Sequence, residues 1–132
     1  TNSTNKSTGA VVISGGVGIN NDLHVGGDIT AFSSSDQNLK QNLNVIPNAI
    51  DKINAIAGYT FQWKETADSN VQPHAWAGEL DTGVIAQEIE ALGLPGITTT
   101  REDGVKAVRY EKLVPLLIQA IKELDDKVNS LS

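Results

Sequence analysis

Tyr110, Val114, Leu117, Ile121, Leu124, Val128 and Leu131 follow one another at intervals of 4, 3, 4, 3, 4 and 3 residues. An unbroken 4-3 spacing places all seven on one strip of an α-helix, and so narrow a strip suits a seam between helices. The chain is therefore expected to end in a long helix, from about Glu111 to Leu131, with the seam carried by Val114, Leu117, Ile121, Leu124, Val128 and Leu131. Pro115 fits the first turn, where its missing N–H costs little. Leu113, Ile118 and Ala120 widen the strip in the first half, which predicts that this half also packs on its own domain. The second half is flanked by Asp125 and Lys127 and stays narrow. An amphipathic helix lying wholly on its own domain is the alternative. Val and Ile alternating with Leu favour two strands in isolated parallel coils.

Composition supports a chain that needs neighbours. Of 132 residues, 39% are hydrophobic and only 5% aromatic, so a lone domain would have a thin core. The net charge of −6 argues against a basic nucleic-acid face. Cysteine is absent, which rules out disulfides and thiolate metal sites. No apolar run approaches the ~20 residues that cross a bilayer, and no secretory segment is visible. With Thr1 first and no methionine anywhere, the chain reads as part of something longer.

Two characters meet along the sequence. Thr1–Thr8 is polar and reads as a frayed lead-in. From Gly9 to Phe32, short apolar bursts alternate with glycines; Gly15-Gly16 recurs as Gly26-Gly27, and Asn20-Asn21-Asp22 is a turn signal. Short strands are expected there, too short to be stable without pairing to neighbours. Beyond the junction, Ile46, Ile50, Ile53 and Ile56 or Ala57 form one face of a helix, with Pro47 in its first turn and Asn44 as its cap. Tyr59, Phe61 and Trp63 alternate on a half-buried strand, followed by a loop over 65–81. Val84-Ile85 suggests a short strand and Ala86–Leu92 a short helix stopped by Gly93. Thr98–Tyr110 reads as a hairpin about Asp103-Gly104.

The junction itself, Ser33-Ser34-Ser35-Asp36-Gln37-Asn38-Leu39-Lys40, holds the ingredients of serine chemistry. A hydroxyl becomes a nucleophile when a base takes its proton, and a lysine serves once burial lowers its pKa. Ser35 and Lys40 are five apart, about 140° around an ideal helix, so they would not share a face. They meet only if Ser35 lies outside a helical turn and Lys40 curls back; Ser35 or Asp36 as a cap permits this. Neither His24 nor His74 has a serine in a triad-like pattern.

Three blocks then match a known family in order: SDQNLKQNLNVIPNAIDKINAIAGYTFQWK, TGVIAQEIEALG and GVKAVRYEKLVPLLIQAIKELDDKV. They resemble the endosialidase-type intramolecular chaperone domain at the C-terminal ends of phage tailspikes, tail fibres and neck appendages. The resemblance covers Ser35 to about Leu131, and the preceding glycine-rich stretch looks like a fibre end. It implies an α+β architecture: a β-rich fibre end over 1–34, then a trimeric α+β chaperone domain over 35–132 whose long C-terminal helix joins an intersubunit bundle. It implies a homotrimer acting on the upstream fibre segment of its own chain, with no cofactor or metal; the acidic charge and the lack of a long apolar run predict no nucleic-acid or membrane partner. It further implies autoproteolysis between Ser34 and Ser35, with Ser35 as nucleophile and Lys40 as general base. The setting would be a virion tail precursor assembled in the host cytoplasm, the chaperone piece being released after the cut. The family often carries an Asp/Glu–Arg pair where this chain has Gln37-Asn38. Ser34 is an alternative nucleophile among three adjacent serines. Asp36 either orients Lys40 or caps a turn.

Other residues have plainer readings. Trp63 and Trp76 with Asp68 and Glu79 form a possible sugar platform, but Trp63 sits on the apolar side of a strand, which favours core packing. His74 and Asp81 lack the spacing of a metal site. Gly15-Gly16-Val17-Gly18 lacks the Lys-Ser/Thr of a phosphate loop. Gln87-Glu88 suits a structural contact. The rival functions are a trimerisation cap that never cuts and a receptor- or glycan-binding fibre tip.

Overall fold

A computed structural model describes residues 1–68 and 71–131, so the middle of the expected 65–81 loop and the last residue lie outside the described residues. The chain divides into two compact units, Thr1–Gln41 and Asn42–Ser132.

In the first unit the expected lead-in is not frayed. The Thr8 hydroxyl accepts from the Thr4 and Asn5 amides at 2.7 and 3.1 Å, and Asn5 Oδ1 accepts from the Ser7 amide at 2.8 Å. Short polar side chains bonding their own backbone hold the turn together. The short strands expected over 9–32 form no ladder among the described residues. Its large apolar side chains, from Val11 through Phe32, are all exposed. Bursts this short bury nothing without a partner strand. The unit's one regular element is a single 3₁₀ turn over Gln37–Leu39.

The second unit is mixed α and β, with small antiparallel sheets and a C-terminal helix. Helix α1 spans Ala49–Asn54, strand β1 Tyr59–Gln62, strand β2 Leu80–Gly83 and helix α2 Ala86–Glu90; strands β3 and β4 are Thr98–Thr100 and Lys106–Val108, and helix α3 is Val114–Ser130. The pairs β1–β2 and β3–β4 make two separate two-stranded sheets. The hairpin turns where expected: Gly104 adopts φ +87°, which glycine takes freely, and Asp103 Oδ1 accepts from the Val105 amide at 3.0 Å.

Two expectations shift. Pro47 and Asn44 do not open α1, which starts at Ala49 after Asn48 in the left-handed region at φ +51°. Asparagine tolerates that conformation, and it interrupts a helical run from Pro47. The short strand expected at Val84-Ile85 lies instead at Leu80–Gly83, beginning inside the expected loop, and pairs with β1, with Tyr59 opposite Gly83 and Gln62 opposite Leu80. Gly83 fits because a Cβ there would lie 2.5 Å from the Tyr110 hydroxyl, which accepts the Val84 N–H at 3.1 Å.

Helix α3 packs along α1. Leu116 is fully buried, and Leu113 and Ala120 are half-buried on the same flank. Ile118, expected to help pack this half on its own domain, is instead exposed. A 100° step per residue puts it on the opposite flank from Leu116. Ala49, Ile89 and Ile97 complete the small buried core. Among the described residues, no helix is long and apolar enough to cross a membrane.

Candidate functional site

The junction is built by one side chain. Asp36 is extended, and its Oδ1 accepts the Asn38 N–H at 2.9 Å, capping the 3₁₀ turn. The Leu39 and Lys40 amides then donate to the carbonyls of Asp36 and Gln37 at 3.0 and 3.1 Å. This turn brings the chain back far enough for Lys40 Nζ to reach Ser35 Oγ at 2.6 Å. Five residues of α-helix would have held the two apart. Of the readings open for Asp36, the geometry is that of a cap, with the lysine positioned through the turn. No hydrogen bond joins Lys40 to Ser33 or Ser34 among the described residues.

A serine hydroxyl held against a lysine amine can act as a nucleophile once its proton passes to that amine. That transfer requires a neutral amine, which desolvation favours. Ser33 through Lys40 are all exposed in the single chain. The contact is thus present and the dry surroundings are not.

The apolar strip of α3 is the second feature. Val114, Leu117, Ile121, Leu124, Val128 and Leu131 are each between 48% and 86% exposed. The flank buried against α1 carries Leu116 instead, and of the strip only Leu117 borders the body, beside Ile53, Ile56 and Val84, among the described residues. Glu123, on the buried flank, was not singled out by sequence. Its two carboxylate oxygens accept the Ala49 and Ile50 amides at 2.7 and 3.0 Å, capping α1 from 73 residues away. Those bonds hold its carboxyl below the ordinary value, the Ile50 amide contributing most. A local signal was available only in part: Glu123 falls seven residues after Leu116, two turns along one flank.

The remaining candidates make contacts within their own unit. Trp63 is half-buried, donates its indole N–H to Asp81 at 3.1 Å and stacks on His74 with ring centres 3.9 Å apart. That stacking occupies a face a sugar would need. Trp76 meets His74 edge-on and stays partly exposed. The Tyr59 hydroxyl donates a hydrogen bond to the Glu88 carboxylate at 2.6 Å, a contact that raises the Tyr59 pKa.

Comparison with known proteins bears on the same region. Residues 35–98 match the family model described as chaperone of endosialidase, whose label classes it with peptidases. The match begins at Ser35. The chain is 31% identical over 101 residues to the long tail fiber protein Gp37 of Salmonella phage S16, covering 74% of this chain and 13% of that protein. Against the Gp37 protein of Escherichia phage AR1 the identity is 33% over 94 residues, 70% of this chain and 8% of that protein. For Enterobacteria phage K3 it is 29% over 119 residues, 85% and 9%. The chain therefore spans only a small part of the length of these relatives.

Proposed function

Given that this chain carries a domain of the chaperone-of-endosialidase family at residues 35–98, we propose that it is the assembly and self-release module of a phage tail fibre. Three copies associate through the α3 strip, hold the upstream segments in register and then cut between Ser34 and Ser35. The observation that carries the reading is the 2.6 Å approach of Lys40 Nζ to Ser35 Oγ, at the residue where the family match begins.

In the proposed step, Lys40 takes the hydroxyl proton as Ser35 Oγ bonds to the Ser34 carbonyl carbon. The Ser34–Ser35 C–N bond breaks, and the amide nitrogen receives the proton. The resulting ester is hydrolysed by water, freeing a Ser34 carboxylate and restoring the Ser35 hydroxyl. The exposure of Lys40 in a lone chain supports coupling of the cut to assembly, because neighbouring copies would supply the desolvation. An early cut would release unregistered chains.

The exposed apolar bursts over 11–32 fit this role. Strands that bury nothing alone depend on partners, and tethering their ends converts an encounter among chains into a local search. Non-local strand pairing is intrinsically slow. Cutting after closure would leave a fibre held kinetically.

Mass spectrometry of the purified chain tests the reading. Pieces of residues 1–34 and 35–132 are expected from the parent, and neither from Ser35→Ala or Lys40→Ala. An uncut parent that still assembles would favour the rival, a permanent trimerisation cap, a reading in keeping with Gln37-Asn38 in place of a charged pair. A parent that cuts equally well with alanine at position 40 would remove the lysine from the mechanism.

A further inference from the structure

A shallow apolar groove of about 290 Å³ runs beside the first half of α3, lined on the body by Ile53, Ile56, Ala57 and Val84 and on the helix side by Leu113, Leu116 and the strip residue Leu117. Its floor is open at Gly58, where an added Cβ would find no atom within 4 Å. The heptad frame of α3 fixes where this groove stands relative to the exposed strip. With Val114, Ile121 and Val128 at the a positions and Leu117, Leu124 and Leu131 at d, Leu113 occupies g and Ile118 occupies e. The groove therefore flanks the strip on the g side. Ile118, 52% exposed, flanks it on the other side and cannot reach the groove of its own chain.

In a parallel helix bundle, a g residue of one chain faces the e residue five positions further along its neighbour. Five residues on from Leu113 is Ile118. We infer that the groove receives the Ile118 side chain of a second copy, so that each subunit's globular body grips its neighbour's helix. This rests on the parallel association proposed above and adds the flanking contact to it. The next g–e pairing is Ala120 with Asp125, where an apolar contact is no longer offered. The grip is thus confined to the first half of α3, the part that borders the groove.

The arrangement is directional. One subunit gives Ile118 and receives its neighbour's on a different surface, which closes only as a ring of copies sharing one orientation. An antiparallel pair would set Ile118 far from the groove. The contact would thereby select the orientation in which all upstream segments leave from the same end.

The chain has no cysteine, so engineered thiols report without background. Full-length Ala57→Cys and Ile118→Cys chains would be co-expressed and treated with a short bis-maleimide, alongside Leu124→Cys as a reporter of the central strip. The expected result is cross-linking in the mixed Ala57→Cys and Ile118→Cys sample, little in either alone, and cross-linking of Leu124→Cys with itself. Cross-linking through Leu124→Cys without the mixed product would overturn the groove contact while leaving the bundle intact. Self-linking of Ala57→Cys would overturn it in favour of a two-fold arrangement. No product anywhere, with a monomeric mass in ultracentrifugation, would remove the bundle and this contact together.

Discussion

Leu124→Ala separates a helix seam from a solvent-facing stripe. In the single chain Leu124 is 55% exposed, although its neighbour Glu123 is bonded to the first amides of α1. Truncating a side chain already more than half in water removes little burial, about 1 kcal/mol or less, and alanine returns part of this through its higher helix propensity. If Leu124 is a d residue in a three-chain core, the loss is about 2–3 kcal/mol per copy, the lower part of the range for a buried leucine because part of the side chain is already covered by its own chain. Three copies lose together, so the association free energy falls by about 6–9 kcal/mol, roughly 10⁴- to 10⁶-fold in the association constant. Sedimentation equilibrium over a range of concentrations reads this directly, and the parent's melting temperature should rise with concentration. Leu116→Ala is the comparison: this residue is fully buried within one chain, so its loss of about 2–5 kcal/mol should appear whatever the concentration. An unchanged mass and melting curve for Leu124→Ala would refute the seam.

Other outcomes follow from the same geometry. Glu123 has its carboxyl held below the ordinary 4.5 by the α1 amides, so its stabilisation is complete above about pH 4.5 and disappears as pH falls through the lower folded value. Glu123→Gln should therefore melt below the parent near pH 7 and approach it in acid, as thermal scans across pH would show. Gly83→Ala should cost about 1–3 kcal/mol by forcing its Cβ against the Tyr110 hydroxyl; with Tyr110→Phe added, the combined loss in denaturant titration should be smaller than the sum. Lys40→Arg keeps the charge but cannot release its proton near neutrality, so no 1–34 piece should appear by mass spectrometry. Asp36→Asn retains an acceptor for the Asn38 amide and should still cut, whereas Asp36→Ala should slow the appearance of fragments.

Sequence alone carried the elements whose signals are local. The 4-3 spacing from Tyr110 to Leu131 specified both a long helix and the strip left uncovered. Asp103-Gly104 specified a hairpin, and the alternation of Tyr59, Phe61 and Trp63 a strand. A capped turn between Ser35 and Lys40 was also legible, because the cap bond spans two residues and needs nothing from elsewhere. Tertiary structure decided which flank of α3 meets the body. Leu116 and Ile118 are similar in size and apolarity, so no periodic pattern chooses between them; α1 does, by covering one side. It decided that Leu80–Gly83 pairs with β1, since backbone bonding to an existing edge requires no alternating side chains of its own. It assigned the cap of α1 to Glu123 and the face of Trp63 to His74. Contacts like these depend on where distant segments come to rest, whereas helical period and turn chemistry are written within a few residues.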